Sequence, residues 1–494
     1  MSGSLQTISF DEIPASYRVP GTYIEAKANY ANIGILDYPA RALVIGQKLA
    51  TGTATVATAY RITRDDQLDA LFGAGSVAAQ MGRRFRAANT TSELWVMALA
   101  DPATATAAAG AWVVTGNSTA AGTIAVAVGT RRITVSVPAG TSAVAAGTAL
   151  RAAVAAVTDL PVTAAGVDGN VAVTAKHKGV VGNAIPLLVN PASDDHLPPG
   201  LSIAVTAMAD GAGVPDIGDA LAAIEAEWFT DIASAWGDSP NLSTLNASLG
   251  ERYTAMGKRD AHAYVGLAGT FGTLSAAGAA LNGKFMSVIG ADGSPSTPWE
   301  WAASLCAIGV FHLTNDPARQ LRTIALPGIA APPPEKRFAQ NERELLLRDG
   351  ISTWTVDPDG TVRLERVVTT YQVSPLGIED TAWLDIMVPK TLSRIRYDWA
   401  SYISLNFPRH KLADDGSPAA EYSDAVVTPR ILHGSWGARC QLYTQRAWIE
   451  DVTRTVGLSR FVRDGTDKNR ANAKQIVDII GNLMVFAASL EFEA

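Results

Sequence analysis

The residues that come nearest to a catalytic motif are Gly140, Thr141 and Ser142, which repeat the Gly-Thr-Ser context of a subtilisin-type nucleophile. In that class of hydrolase the catalytic residues follow the chain order Asp, His, Ser. No histidine precedes Ser142, so a triad in that order is impossible. A Thr or Ser in front of an Ala-rich stretch instead predicts an N-cap that opens a helix. We therefore expect Ser142 to be structural.

The remaining residue types that could do chemistry are scattered along the chain. No two histidines have the spacing of metal ligands, no phosphate-binding Gly-rich loop is present, and no Gly-x-Ser-x-Gly motif occurs. Cys306 and Cys440 are far apart and form no metal or redox motif. We predict that the chain is not an enzyme and has no catalytic, cofactor-binding or metal site. The histidines are His177, His196, His262, His312, His410 and His433.

Charge and length narrow the classes of partner. The 494 residues contain 40 Lys and Arg against 47 Asp and Glu, giving a net charge of −7. An acidic chain without a basic stripe is a poor candidate for binding nucleic acid or an anionic membrane surface. The first residues show no secretory signal pattern and no apolar run is long enough to span a bilayer. We expect a multidomain protein that is made and kept in a cytoplasm, at least until it assembles.

Hydrophobic periodicity predicts an α/β body that is interrupted by a β-rich insertion. Strand and helix patterns alternate over 41–102 and again over 213–372, which is typical of βαβ units and a mainly parallel sheet. Between them, 103–212 is rich in Ala, Thr, Val and Gly, and reads as several strands with one helix, projecting from the body. Residues 373–465 mix long amphipathic helices with short strands, which predicts a C-terminal α+β domain. Within it we expect a helix from Thr381 to Asn406 and one or two strands between Ile449 and Val462.

Both chain ends are predicted to be arms. Residues 1–40 are broken by Pro14, Pro20 and Gly21, and 19–28 suits one extended strand. Residues 466–494 end in an apolar run in which Leu490 and Phe492 alternate with glutamates, a period of two that indicates a strand. Either end can lie on its own domain or pair with another copy. The residues expected to pair outside the subunit are Val19, Tyr23, Ile24, Ile479, Ile480, Leu483, Val485, Phe486, Leu490 and Phe492.

A charged segment precedes the C-terminal arm. It runs from Arg463 to Arg470 and is either a hinge that positions the terminal strand or a solvated loop. The residues predicted to form the hinge are Asp467, Asn469, Arg470 and Asn472.

Taken in order, four regions resemble contractile-phage tail sheath proteins, particularly their Mu-like branch. Tyr17–Glu25 is similar to the N-terminal arm of that family, and 179–187, with the stretch 140–156 before it, is similar to its inserted domain. Residues 463–472 are similar to the family's Asp-x-x-Asp-Pro-Asn-Arg-x-Asn element, with Lys468 where proline is usual. The terminal run is similar to the family's last strand.

The resemblance implies a central fold of the subtilisin-like sheath type without a protease site, and a mechanical function. Such subunits polymerise around an inner tail tube as stacked rings or helical strands, and both arms add strands to neighbours. The sheath then contracts from an extended metastable state and drives the tube through the host envelope, without a nucleotide. The implied partners are further copies, the tube protein, and baseplate and terminator proteins, in a virion assembled in the host cytoplasm. Two other readings are a hydrolase built on the α/β body and a surface binding module or adhesin built on the insertion.

Overall fold

The first part of the body forms one edge of a large sheet. The computed structural model describes residues 14, 16–24 and 34–493. Ser76 caps the helix Val77–Ala88 by accepting a hydrogen bond from the Ala79 N–H. Strand 1 is buried along almost its whole length, as an inner strand covered on both faces should be. The elements are β1 (Arg41–Gln47), β2 (Tyr60–Ile62), α1 (Asp66–Phe72), α2 (Val77–Ala88) and β3 (Glu93–Leu99).

The insertion follows directly. Its strands form two antiparallel sheets, with α3 packed among them. The elements are β4 (Ala107–Gly116), β5 (Gly122–Val128), β6 (Arg131–Val137), α3 (Ala143–Ala156), β7 (Val162–Ala165), β8 (Asn170–Lys178), a 3-10 turn (Val180–Ala184), β9 (Leu187–Val189) and β10 (Leu201–Ala209).

The second part of the body alternates helix and strand, as the sequence predicts. Helix 7 lies almost wholly inside the protein, because apolar or small residues occur all round it. The elements are α4 (Ile217–Ala223), β11 (Asp231–Ser234), α5 (Ser239–Tyr253), β12 (His262–Ala268), α6 (Phe271–Ala279), β13 (Met286–Ala291), α7 (Pro298–Asn315), a 3-10 turn (Pro334–Lys336), α8 (Gln340–Arg348), β14 (Ile351–Val356) and β15 (Val362–Arg366).

The body is built on one eight-stranded sheet. Its order is β15-β14-β13-β12-β11-β1-β3-β2. All pairs from β14 to β3 are parallel, while β15 and β2 close the two edges in antiparallel pairs. The predicted mixed α/β and α+β fold with a mainly parallel central sheet is therefore confirmed.

The insertion shares its hydrophobic core with the body. Its buried side chains and those of the body belong to one continuous hydrophobic cluster. His177 of β8 also reaches the body, where it accepts a hydrogen bond from the Val77 N–H at the start of α2. The insertion is thus packed onto the body through a shared core, and its projection from the surface stays a prediction.

The C-terminal region is helical with two small sheets. Its elements are α9 (Met387–Asn406), β16 (Lys411–Leu412), α10 (Pro418–Tyr422), β17 (Val426–Val427), α11 (Pro429–Gln445), α12 (Val452–Leu458), β18 (Arg460–Arg463) and β19 (Ala471–Lys474). The helix expected from Thr381 begins only at Met387, with Pro389 in its first turn, where a missing N–H costs nothing. The strand expected after Ile449 is helix α12 followed by β18. The domain boundaries drawn from the sequence stay predictions.

Ser142 occupies the N-cap of α3. Its Oγ accepts a hydrogen bond from the Ala145 N–H at 3.3 Å, which confirms the structural assignment. We expect Ser142→Ala to lower the free energy of unfolding by about 0.5–2 kcal/mol, as for other lost N-caps, and to leave polymerisation unchanged. Urea titration of the two proteins checks the first value and negative-stain microscopy the second; loss of polymerisation in a stably folded S142A variant would contradict the assignment.

Candidate functional site

Two buried histidines make side-chain contacts that the sequence did not predict. His262 Nε2 lies 2.9 Å from Ser287 Oγ, and His177 Nδ1 lies 2.7 Å from Asp101 Oδ1. A catalytic triad needs one histidine that joins both a serine and an acid. His262 Nδ1 has no partner among the described residues, and the second nitrogen of His177 is taken by the Val77 N–H. Neither contact is a triad; both pack strands against their neighbours.

His262 is held neutral by its surroundings, and the described ranges contain neither a metal-binding cluster nor a membrane-spanning helix. Burial, with help from the Lys390 charge, holds the pKa of His262 well below its ordinary value, so this imidazole stays neutral. Within 14, 16–24 and 34–493 there is no group of three His, Cys, Asp or Glu side chains that could bind a metal. No helix in the same ranges is long and apolar enough to cross a membrane.

The root of the N-terminal arm is held by a buried ion pair. Asp398 of α9 and Arg439 of α11 are 0% and 1% exposed, and Arg439 Nε donates to Asp398 Oδ2 at 3.0 Å. The Leu36 N–H donates to Asp398 Oδ1 at 3.0 Å, while Arg439 donates to the Gly34 carbonyl at 3.2 Å. The two charges therefore satisfy main-chain groups of residues 34 and 36, at the start of the continuous described chain.

Tyr443 completes this arrangement. Its hydroxyl donates to Asp398 Oδ2 at 2.6 Å, and burial raises its pKa far above the ordinary value, so it remains a neutral donor. The Asp398 carboxylate accepts hydrogen bonds from Arg439, Tyr443 and the Leu36 N–H. These bonds offset the free-energy cost of burying its charge.

The root of the C-terminal arm uses the same small core. The Ile480 N–H donates to the Trp448 carbonyl at 3.2 Å and the Glu450 N–H to the Asp478 carbonyl at 3.0 Å. Ile479 forms an isolated antiparallel bridge with Ile449. We call this core the second core; Ile35, Val477 and Ile480 pack against its buried side chains, which are Ala318, Ile395, Trp436, Cys440, Tyr443, Trp448 and Ile449.

The second core is also tied to the large sheet. Lys390, near the start of α9, pairs with the buried Asp231 of β11 and donates to the Thr230 carbonyl at 3.2 Å. The Tyr264 hydroxyl of β12 donates to the same carboxylate at 2.8 Å. Helix α9 therefore connects the second core to the large sheet.

Beyond its root, the C-terminal arm leaves the protein surface. Arg322 donates to the Met484 carbonyl at 3.2 Å, and this is the last hydrogen bond of the arm to another described residue. No strand is formed from 475 to 493; the β-type pairing there is one isolated bridge, at Ile479. Large apolar side chains are left in solvent: Leu483, Val485, Phe486, Leu490 and Phe492 are 70–97% exposed.

The described part of the N-terminal arm is exposed too, but it is curled. Tyr17 and Tyr23 meet edge to face with ring centroids 5.0 Å apart, and Val19 and Ile24 are 58% and 89% exposed. The extended strand expected over 19–28 is not formed between Val19 and Ile24, and residues 25–28 lie outside the described ranges.

The charged segment before the C-terminal arm is the loop of a hairpin. Asp467, Asn469 and Arg470 connect β18 to β19, and Asn472 lies in β19. Asp464 accepts hydrogen bonds from the Thr466 and Asp467 N–H groups and from Asn472 Nδ2. The Asp467 N–H bond and those from Thr466 hold the pKa of Asp464 far below its ordinary value. This is a well-bonded corner within the subunit, and the hinge function stays a prediction.

The described chain thus combines an α/β body with two ends that are anchored at one point and exposed beyond it. Comparison with known proteins identifies its kind. Residues 210–370 match the family described as phage tail sheath protein central domain. The Mu-like prophage FluMu tail sheath protein of Haemophilus influenzae is 31% identical over 489 residues, covering 98% of this chain and 99% of that protein. The chain belongs to the phage tail sheath family and is a structural component of a contractile tail.

Solved structures show similarity over most of the chain as well. A sheath tail protein from Desulfitobacterium hafniense aligns over 93% of this chain and 100% of its own, with 13% identity and a TM-score of 0.48. The contracted sheath of the extracellular contractile injection system PVC aligns over 96% and 98%, with 10% identity and the same TM-score.

Proposed function

We propose that this chain polymerises around an inner tail tube as a sheath, and that the sheath contracts from an extended state to drive the tube through the host envelope. The observation that carries the proposal is the exposure of Val485, Phe486, Leu490 and Phe492 on an otherwise well-packed subunit. Apolar side chains that are exposed together in one segment are typical of a surface that another molecule covers.

The surface that receives the donated segment is the β18–β19 hairpin. A two-stranded sheet is marginally stable alone and gains from a third strand. In an antiparallel pair, positions whose main-chain groups bond across the pair alternate with positions whose groups point outward. The Asp464 N–H donates to the Arg470 carbonyl, so these two residues face each other through a hydrogen bond. The N–H groups of Ala471 and Ala473 therefore point away from β18. The outer edge of β19 is therefore open to a strand from a neighbouring copy.

Contraction follows from this design without a nucleotide. A main-chain ladder depends on edge geometry, so it survives a rigid-body rotation of the subunit while the segment around Met484 bends. The roots of both arms stay fixed to the second core, and the energy is stored in packing between bodies. The partners are further copies, in stacked rings or helical strands, with the tube protein inside and baseplate and terminator proteins at the ends. Assembly takes place in the host cytoplasm and the sheath acts in the virion.

Blocking the edge of β19 tests this proposal. We expect Ala473→Pro to abolish tube formation, because proline removes an outward N–H and its ring obstructs an added strand. The internal hydrogen bonds of the hairpin use other residues and remain. Negative-stain microscopy of purified protein, with circular dichroism as a check of folding, gives the result.

Ala473→Ser is the matched control, since it changes the side chain and keeps the N–H. It should form tubes as the parent does. Tubes of normal length from a folded A473P variant would show that no strand is added at this edge.

A further inference from the structure

A groove lies beside the hairpin, between α9 and the loop that follows α5. Its volume is about 630 Å³, within the range of sites that hold a bound side chain or small ligand. Its apolar wall includes Leu392, Trp399 and Trp436, and Trp399 also contacts Phe461 of β18. One side is closed by Gln475 and Val477, the first residues after β19. A strand added at the hairpin would therefore run next to an empty apolar groove.

Two polar groups in the groove lack partners among the described residues. Gln475 Nε2 is buried and has no acceptor. The ammonium group of Lys258, which also lines the groove, makes no hydrogen bond or ion pair with a described residue. The other charges there cancel, since Arg396 pairs with Asp260 at 3.4 Å. The groove thus offers apolar surface, one free amide donor and one net positive charge.

The end of the chain has the complementary chemistry. Leu490 and Phe492 point to one side of an extended segment, and Glu491 and Glu493 to the other. Leu490 is 97% exposed and Phe492 is 86% exposed, although they belong to the same polypeptide as the groove. The apolar face of the segment and the apolar wall of the groove therefore match in chemistry, and a second copy of the chain can bring them together.

We propose that this groove binds residues 490–493 of a second copy, with Leu490 and Phe492 between Leu392 and Trp399 and with Glu491 beside Lys258. The inference rests on the proposed function and adds the site that binds the side chains of the donated segment. The main-chain ladder gives affinity, and the groove fixes which register the segment adopts.

Charge reversal on each side tests the pairing. We expect Lys258→Glu, and separately Glu491→Lys, to raise the critical concentration for polymerisation roughly tenfold, because each places like charges together at an interface. The protein carrying both changes should polymerise like the parent. A lasting defect in the double variant, or no defect in either single variant, overturns the proposed pairing.

Cross-linking identifies which copy supplies the occupant. Full-length chain with Phe492→p-benzoylphenylalanine is mixed with isotopically heavy parent chain, assembled, irradiated and digested. We expect light–heavy cross-links to the α9 segment 392–400. Cross-links confined to the same copy, or directed to another surface of the chain, overturn the groove proposal. Such cross-links would leave strand donation at β19 untouched as long as tubes still form. Strand donation itself is contradicted if a folded A473P variant still assembles.

Discussion

Changing Phe486, Leu490 and Phe492 together to serine should abolish polymerisation and leave the subunit folded. The three side chains are 81–97% exposed, so the folded subunit loses almost no buried surface. In the assembly each buried side chain would contribute about 1.5–3 kcal/mol. The three together therefore contribute at least about 4.5 kcal/mol, which is roughly a thousandfold in affinity per donated segment. Sedimentation velocity and negative-stain microscopy measure the loss.

The matched control replaces three equally exposed side chains elsewhere: Val167, Leu376 and Tyr422, which are 71%, 84% and 86% exposed. That protein should form tubes with the yield of the parent, because exposure alone does not place a residue in an interface. Equal defects in both triple variants would mean that general solubility, not the arm, controls assembly. Tubes from the arm variant would refute strand donation.

Replacing Asp398 by alanine should cost about 3–5 kcal/mol of stability in the second core, because it leaves the buried Arg439 guanidinium without its carboxylate. The Leu36 N–H and the Tyr443 hydroxyl lose their acceptor at the same time. Trp436 and Trp448 lie in this core, so tryptophan fluorescence during urea unfolding reports the change. An exposed ion pair provides the control: Glu344→Ala removes the contact with Arg348 and should cost only about 0.3–0.5 kcal/mol.

A second variant separates stability from anchoring. Asp398→Leu combined with Arg439→Met removes both charges, and such replacements of buried pairs are often neutral in stability. The Gly34 carbonyl and the Leu36 N–H would still lack partners, so the arm root would be loose. We expect a stable subunit with defective assembly. Normal assembly by this double variant would show that the ion pair does not position the N-terminal arm.

The sequence predicted the body well because each of its elements carries a local signal. The apolar run at Arg41–Gln47 and the capped helix after Ser76 need no distant information, and the alternation of such units implies a parallel sheet. It predicted the capping function of Ser142 for the same reason. The hairpin at Arg460–Arg463 and Ala471–Lys474 was missed because its loop, rich in Asp and Asn, also suits a hinge.

The anchors could not be predicted. Asp398 and Arg439 are 41 residues apart on two helices, and the main-chain groups they hold lie more than 360 residues earlier. Nothing in the local pattern of either residue indicates burial of a charge. The contact between His262 and Ser287 is hidden likewise, because adjacent parallel strands bring together residues that are 25 positions apart. The sequence of the arms predicts a strand, but a strand pairs with another strand. The sequence of one subunit therefore does not determine where the side chains of the arms pack.

The position of the chain ends in an assembled tail tests the account most directly. A cryo-EM map of the sheath should show 485–493 as a strand continuous with β19 of a neighbouring subunit, while 34–36 and 476–480 stay on the second core of their own. A map in which 485–493 fold back onto the parent subunit, and neighbours touch only through their globular surfaces, would contradict it.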